Sequence, residues 1–358
     1  LSHTDTATVT IDNVAPTISS FAVNPNPVNE AQQVTVSGTF TDPALGSGDT
    51  FSGSALWSDG VSTSVTVGAG TFSTDRTFPD DDPTGTPSDG FTVDITITDD
   101  DSGSDTSTSP TVIVNNVAPT ANDDGGAGFI TDEDNAFNTP SVLANDTDPG
   151  TDTLAVAGFD TTGTKGLVQN NADGTFNYDP NGMFEYLGEG DSANDSFTYI
   201  TVDDDTGISG SATVTITVYG VNDKPVIDSV TPLAQTADYS DKIAKVTIVA
   251  HDVDSHPLSL SDDAPASLTV SSASCTATTH GTDCTWEMTG QVTVPGLNDY
   301  IISFQADDGG LENNLSDTAT HTLEVHPEDA TVTLDPGNDV AVDVPEADGD
   351  SGEFKLWF

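Results

Sequence analysis

Basic residues are scarce in this sequence, which has 6 Lys and Arg against 59 Asp and Glu in 358 residues. The formal net charge of −53 excludes a nucleic-acid binder, because phosphate backbones require a basic face. It also argues against an anionic membrane surface as a partner. Apolar runs of membrane-spanning length are missing too, since the longest, such as 246–250, have only the length of a strand.

Cysteine and methionine are equally rare, with two residues of each. Cys275 and Cys284 flank a polar turn, which predicts a hairpin disulfide and an oxidising compartment. A metal or redox pair is the alternative, but it lacks C-x-x-C spacing and helper ligands.

The acidic residues are mostly aspartate, with 49 Asp and 10 Glu. Aspartate is a poor helix former, a good turn residue and a good calcium ligand, so the imbalance favours loops and metal. Solvated turn caps and adaptation to high salt are the alternatives. Halophilic adaptation usually enriches Glu as well, so the skew favours calcium.

Three markers recur in the same order along the chain, which indicates an internal repeat. Acidic loops follow strand-like runs at intervals of 104 residues, with Asp99, Asp203 and Asp307 as reference points. A short linker with Asn and Pro recurs at 12–16, 115–119, 221–225 and, degraded, 325–329. A D-x-D-like loop recurs at 40–49, 145–152 and 251–257.

These markers divide the chain into three full domains: a first domain at 17–119, a second at 120–225 and a third at 226–327. Residues 1–16 are predicted to finish a preceding repeat, and 328–358 to begin another. Both ends look cut, so we interpret the sequence as a segment of a longer protein. Runs alternate with period two between turn residues, which predicts an all-β tandem array of antiparallel β-sandwiches.

The second domain contains the motifs DEDNA (132–136), LANDTDPGTD (143–152), ADGTFNYDP (172–180), NDSFTY (194–199) and VNDKP (221–225). With these motifs it resembles the bacterial cadherin-like tandem repeats of giant surface proteins, so a cadherin-like β-sandwich is expected.

The first domain looks like a polycystic-kidney-disease-type (PKD) Ig-like repeat, from WSDG (57–60) and FTVDITITDDDSG (91–103). The third is Ig-like from its ends and YIISFQADDGG (300–310). These resemblances imply an extracellular, prokaryotic, multi-domain surface protein, often calcium-binding.

In a seven-strand sandwich the B–C and F–G loops lie at the end where the chain enters, so both face the preceding linker. The sequence therefore predicts an acidic cluster at each of three junctions. At the first junction, before the first domain, the predicted cluster is Asp12, Asn13, Asp42, Asp49, Asp99, Asp100 and Asp101. At the second junction, between the first and second domains, it is Asn116, Asp146, Asp148, Asp152, Asp203, Asp204 and Asp205. At the third junction, between the second and third domains, it is Asn222, Asp223, Asp252, Asp254, Asp307 and Asp308. Calcium takes six to eight oxygen ligands, which these loops supply, so Ca²⁺ is the predicted cofactor.

Other constellations favour structural roles. No G-x-S-x-G, H-E-x-x-H or phosphate loop occurs, so we expect no enzyme. His251 and His256 flank a predicted calcium loop, with a transition-metal site as the alternative to ordinary loop histidines. The tryptophans are predicted to be core residues, with a sugar-binding platform as the alternative (Trp57, Trp286, Trp357). Three asparagines begin N-x-S/T glycosylation sequons (Asn145, Asn194, Asn314). Two lysines are candidates for an isopeptide cross-link (Lys242, Lys245).

The sequence as a whole predicts a structural segment of an extracellular fibre, filament, sheath or adhesin stalk, stiffened by calcium. A glycan- or cell-binding adhesin module is one alternative, and an accessory region of a secreted hydrolase is another. Expected partners are neighbouring repeats and other copies of the chain, with glycans as a further candidate. Neither nucleic acid nor direct membrane insertion of this segment is expected.

Overall fold

The computed structural model describes residues 5–10, 12–46, 48–82, 85–279, 281–293, 299–309 and 315–326, and the backbone of 331–334, 340–345 and 351–354. Within these residues the regular structure is β-strand, apart from one short 3₁₀-helix at Val142–Ala144. No helix in the described residues is long and apolar enough to span a membrane. The predicted all-β fold class is confirmed.

The first domain packs two four-stranded sheets, β1-β3-β7-β6 and β10-β9-β4-β5, with a smaller sheet β2-β11-β8. Its strands are β1 (Thr17–Asn24), β2 (Val28–Asn29), β3 (Gln33–Thr41), β4 (Phe51–Trp57), β5 (Ser62–Ser64), β6 (Thr66–Val67), β7 (Thr71–Thr77), β8 (Ser88–Phe91), β9 (Val93–Asp99), β10 (Ser104–Thr108) and β11 (Val112–Asn115). Alternate residues of β9, including Ile95 and Ile97, are fully buried, as period two requires of a half-buried strand. Trp57 lies in the same core.

The second domain packs sheet β12-β18-β17-β14 against sheet β13-β16-β15. Its strands are β12 (Ile130–Asp132), β13 (Phe137–Asn138), β14 (Ala155–Asp160), β15 (Leu167–Asn170), β16 (Phe176–Asp179), β17 (Ser192–Val202) and β18 (Ala212–Tyr219). The long β17–β18 ladder buries Phe197 and Tyr199 against Val214 and Ile216. This ladder ends at the loop that carries Asp203–Asp205.

The third domain packs sheet β19-β21-β25-β23, with β24 also paired to β25, against sheet β20-β27-β26-β22. Its strands are β19 (Val226–Thr231), β20 (Ala234–Asp238), β21 (Val246–Asp252), β22 (Ser259–Asp262), β23 (Leu268–Val270), β24 (Ser274–Thr278), β25 (Gly281–Gly290), β26 (Tyr300–Asp307) and β27 (Ser316–His326). A disulfide joins Cys275 to Cys284, which face each other across the β24–β25 ladder. Trp286 is buried in this core.

The two ends of the chain differ in secondary structure. Residues 1–16 were predicted as the last strand and linker of a preceding repeat, and within them 5–10 and 12–16 are not assigned to a strand. The C-terminal residues form a three-stranded antiparallel sheet of β28 (Thr331–Leu334), β29 (Val340–Pro345) and β30 (Ser351–Phe354). Trp357 lies outside the described residues.

Candidate metal centres at the domain junctions

Each junction contains a linker asparagine bound to an aspartate of the next domain that lies at the end of β9 or directly after β17 or β26. The amide Nδ2 of Asn13 donates to Asp99 at 3.0 Å, that of Asn116 to Asp203 at 3.1 Å, and that of Asn222 to Asp308 at 2.9 Å. The predicted meeting of linker and F–G loop is therefore present at all three junctions.

Glycine allows this close approach at two of them. A Cβ on Gly207 would lie 2.8 Å from Cα of Ala118, and one on Gly103 would lie 2.9 Å from Cα of Ala15. Both glycine amides also donate to the bound aspartate, Gly103 to Asp99 at 2.7 Å and Gly207 to Asp203 at 2.6 Å. The glycine at the end of each D-D-D loop is therefore required, because a side chain there would collide with the linker backbone.

The second junction brings six carboxylates together from two domains. Three trios each place one oxygen per residue within 4.8 Å of the others: Glu30, Asp148 and Asp152; Glu30, Asp80 and Asp81; and Asp80, Asp152 and Asp205. Oxygens bound to one calcium ion are at most about 5 Å apart, because Ca–O distances are about 2.3–2.6 Å. Glu30, Asp80 and Asp152 each belong to two trios, so each would be available to more than one cation.

Several of these carboxylates are buried, and they have oxygens that no hydrogen-bond donor contacts. Glu30, Asp81 and Asp205 are between 0% and 1% exposed. Buried oxygens without a hydrogen-bond partner occur on Glu30 (Oε2), Asp148 (Oδ2), Asp205 (Oδ2), and both oxygens of Asp81 and Asp152. Such atoms are costly unless a donor or a cation satisfies them, so the residues fit a hard cation with oxygen ligands.

The backbone fixes the direction of these side chains. Glu30 accepts at Oε1 from the Val117 amide of the linker at 2.6 Å, which leaves Oε2 for the cluster. The turn that positions it has Ala31 at φ 56°, with the Ala31 amide bound to the Phe78 carbonyl at 2.7 Å. Across the junction, Asp205 Oδ1 accepts from the amides of Gly85 and Thr86.

Burial and mutual repulsion raise the pKa of two of these carboxylates. Burial, and then the charges of Glu30 and Asp80, raise the pKa of Asp152 to about 8. Burial, and then the charges of Asp205 and Glu30, raise the pKa of Asp81 to about 7. A divalent cation at the cluster would reverse these shifts by favouring the ionised carboxylates.

Three members of the cluster, Glu30, Asp80 and Asp81, were not predicted from the sequence. They lie on first-domain turns, at the end away from the repeated acidic loops. A signal for one of them existed, because the pairs Asn29–Glu30 and Asp132–Glu133 are 103 residues apart. Aspartates 80–82 also form a triple like that at 99–101.

Asp146 was predicted as a ligand, but it is bonded within the second domain. Its Oδ1 accepts from the Asn122 amide and the Tyr199 hydroxyl, both at 2.9 Å, and its Oδ2 accepts from Thr201 at 2.6 Å. These bonds fix the D-x-D loop from its first residue. Asp148 and Asp152, two and six residues later, reach the cluster, whereas the neighbouring Asp204 is exposed and accepts from the Thr153 amide.

At the first junction the structure groups Asp49, Asp100 and Asp101 into one trio, in which Asp100 and Asp101 are exposed. Burial, and then the charges of Asp100 and Asp42, raise the pKa of Asp49. Asp42 accepts from Ala44 and has a second, buried oxygen without a partner. Asp12 is exposed.

At the third junction, buried oxygens without a partner occur on Glu133, Asp223 and Asp252. Burial is the main cause that raises the pKa of Glu133 and Asp223 to about 7 and that of Asp252 to about 6. Asp254 instead accepts from the Asp223 amide at 2.7 Å and from the Glu189 amide. Asp307 accepts from Gln305 at 2.9 Å.

The histidines contact different partners. His251 pairs with Asp228 at 2.8 Å, whereas His256 bridges Glu189 at 3.1 Å and Asn222 at 3.1 Å. The transition-metal alternative is not supported by this separation.

Asn145 donates to the Asp123 carbonyl and Asn194 accepts from Thr217, so both sequon side chains have protein partners. Asn314 lies outside the described residues. Of the two lysines considered for an isopeptide, Lys245 pairs with Glu287 at 2.7 Å and both side chains are about half exposed. Lys242 lies in an isolated bridge with Gln291.

Residues 116–220 match the family model of the bacterial cadherin-like domain, which confirms the resemblance stated for the second domain. The PKD-type assignment of the first domain stays a prediction. No curated protein matches the chain.

Solved structures similar to this chain include PcdhgB3 EC1-4, at 13% identity and a TM-score of 0.40 over 87% of this chain and 76% of that one. Protocadherin Gamma B2 extracellular cadherin domains 1-5 are similar at 14% identity and a TM-score of 0.39, over 93% of this chain and 61% of that one. The D00-D0 domain of Intimin is similar at 13% identity and a TM-score of 0.32, over 57% of this chain and 98% of that one.

Proposed function

We propose, from the premise that residues 116–220 form a bacterial cadherin-like domain, that this chain is a segment of an extracellular repeat array stiffened by calcium at its junctions. The observation that carries the proposal is the second junction, where carboxylates of two domains converge with buried oxygens that have no donor. The disulfide Cys275–Cys284 supports an oxidising compartment. The role is structural rather than catalytic, as a stalk or fibre.

Calcium would supply the positive charge that the second junction lacks. Glu30, Asp80 and Asp81 present oxygens from the first domain, and Asp148, Asp152 and Asp205 present theirs from the second. Because the set is complete only when both domains are in place, a bound ion fixes the angle between them. A ligand that binds only this arrangement stabilises it in proportion to RT ln(1 + [L]/Kd).

In the part of the junction that the structure describes, hydrogen bonds would still join the two domains if the ion were removed. The contacts across the second junction include the amides of Gly85 and Thr86 bound to Asp205, the Thr151 hydroxyl bound to Asp80 at 3.4 Å, and Asn116 bound to Asp203. The repulsion among six carboxylates opposes them. We therefore expect the metal-free chain to bend at this junction.

Small-angle scattering and thermal unfolding of the whole chain, with calcium and with a chelator, test the proposal. Calcium is expected to raise the thermal midpoint and to lengthen the particle. Asp152→Asn should reduce both effects, whereas Asp283→Asn, at an exposed position of β25, should not. Scattering curves and midpoints that do not change on chelation would contradict the proposal.

The glycan-binding alternative predicts exposed tryptophans, but Trp57 and Trp286 are 1% and 3% exposed. Trp57 instead donates its indole N–H to Thr63 at 3.0 Å. Both are core residues, so the stalk remains the function that the described residues support best. Partners of this stalk are its neighbouring repeats and other copies of the chain.

A further inference from the structure

The second and third junctions differ in the carboxylates that the preceding domain supplies. In the first domain, Asp80 and Asp81 are the second and third residues after the fully buried Phe78. In the second domain, Tyr186 and Leu187 occupy those positions after the fully buried Phe184. Glu185, directly after Phe184, is the one acid of this turn, and its charge contributes, after burial, to the raised pKa of Glu133 and Asp223. The third junction thus has one carboxylate here where the second has Asp80 and Asp81.

The third junction nevertheless has the features of a cation site. Glu133 and Asp252 are 2% and 1% exposed, and each has a buried oxygen without a partner. Asp223 in the linker adds another such oxygen. Among the residues that the structure describes, however, no three acidic groups of this junction come within 4.8 Å of one another, whereas the second junction has three such trios.

Direct protein contacts at the third junction occupy groups that would otherwise bind metal. Asp254 accepts from the Asp223 amide and the Glu189 amide, one at each carboxylate oxygen. His256 of the third domain pairs with Glu189 of the second at 3.1 Å and also contacts Asn222 of the linker. Both oxygens of Asp254 are thereby occupied, whereas Asp205 at the second junction keeps one buried oxygen without a partner.

We infer that the third junction takes up fewer calcium ions than the second, and only at a higher calcium concentration. Calcium affinity depends on the number of charged ligands that reach the ion, and the second junction gathers more carboxylates within 4.8 Å of one another. The array would then stiffen in two steps, with the third junction as the joint that depends less on calcium. This inference rests on the proposed function, because it concerns how the same ion is divided between two junctions.

A calcium titration of the whole chain, monitored by native mass spectrometry, tests how the ions are distributed between the two junctions. Two isosteric variants are compared with the wild-type chain. Asp152→Asn removes a charge from the second junction, and Asp223→Asn removes one from the third. The wild-type chain is expected to bind calcium in two classes, separated by about tenfold or more in concentration. Asp152→Asn should weaken the tight class, and Asp223→Asn should weaken only the later one.

Hydrogen exchange of the wild-type chain gives a second readout that needs no substitution. The Val117 amide binds Glu30 at the second junction, and the Val221 amide binds Glu133 at the third. Protection of the peptide containing Val117 should rise at about tenfold lower calcium than protection of the peptide containing Val221.

The outcomes separate this inference from the proposed function. A single class of ions, equally weakened by both variants, or linker peptides protected at the same calcium concentration, would overturn the inference alone. A wild-type chain that binds no calcium would overturn the proposed function itself. The control Asp283→Asn should reproduce the wild-type titration, and a change there would show that loss of any one charge suffices.

Discussion

The second domain and the second junction both bury aspartates, but they satisfy them differently. Asp195, 5% exposed in the core of the second domain, accepts from the amides of Lys165 and Gly166 and from the Tyr178 hydroxyl, at 2.8 to 3.0 Å. Asp81 is fully buried, and neither of its oxygens has a hydrogen-bond partner. The two aspartates therefore differ in their supply of hydrogen-bond donors and not in their burial.

This difference explains why the same residue type serves two purposes in one chain. Buried charges are tolerated when hydrogen bonds or a metal compensate the lost hydration. Asp195 and Asp146 have their compensation within the protein, so we expect their contribution to be independent of calcium. Asp81 and Asp152 lack it, so their effect on stability should change sign with the metal.

The largest expected effect comes from Asp195→Ala. The substitution leaves the Tyr178 hydroxyl and two backbone amides without an acceptor in a buried site, so unfolding should become easier by about 3–5 kcal/mol. Urea denaturation measures this loss, which should be the same in calcium and in chelator. Asp283→Ala, at an exposed position, should change stability by less than about 0.5 kcal/mol. If calcium abolished this loss of stability, Asp195 would behave as a metal ligand, and its predicted difference from Asp81 would be contradicted.

A smaller effect with two signs is expected from Asp81→Asn. In chelator the amide removes a buried charge beside Asp205 and Glu30, so the free energy of unfolding should rise by about 1 kcal/mol. In saturating calcium the same variant should be less stable than wild type, because it lacks a charged ligand. Thermal midpoints in the two buffers reveal the crossing, and destabilisation in both buffers would contradict it.

The smallest effect is a pH dependence of the metal-free chain. The pKa values of Asp152, about 8, and Asp81, about 7, lie above the ordinary value of 3.8. The folded state therefore binds more protons than the unfolded state between about pH 4 and pH 8, and stability should fall as pH rises through that window.

Thermal midpoints between pH 5 and pH 9 in chelator measure this slope. Asp152→Asn should reduce the slope, since the group with the higher of these two pKa values no longer titrates. Calcium should also reduce the slope of the wild-type chain, because a bound ion would keep Asp81 and Asp152 ionised. A wild-type slope that is identical with and without calcium would assign the dependence to other groups.

The location of the junction sites was predictable, because the repeat length and the strand alternation follow from residue types alone. Spacing of about 104 residues placed Asp148, Asp152 and Asp205 at one end of a sandwich, and the structure gathers them there. The linker asparagines were likewise placed at the F–G loops that they contact. The disulfide followed from two cysteines around one turn.

The individual ligands were less predictable, because they depend on contacts between domains. Asp146 shares the D-x-D loop with Asp148, but the neighbouring Tyr199 and Thr201 hydroxyls bind its carboxylate, and no spacing rule specifies that. Glu30 and Asp81 lie on turns of the first domain that face the second domain. They could have been predicted as ligand candidates only if the contact between these turns and the loops of the second domain were known. Donor supply is decided by tertiary contacts, which the sequence pattern does not encode.

The order of contacts along each linker determines how it would respond to a pulling force. At the second junction Asn116 is bound to the following domain, while the next residue, Val117, is bound to the preceding one. The two attachments overlap, so tension must break at least one of them before the linker can straighten. At the third junction the order is reversed, with Val221 bound backward and Asn222 bound forward. Tension can there pass along the covalent chain with both contacts intact, so under load the second junction resists extension and the third transmits it.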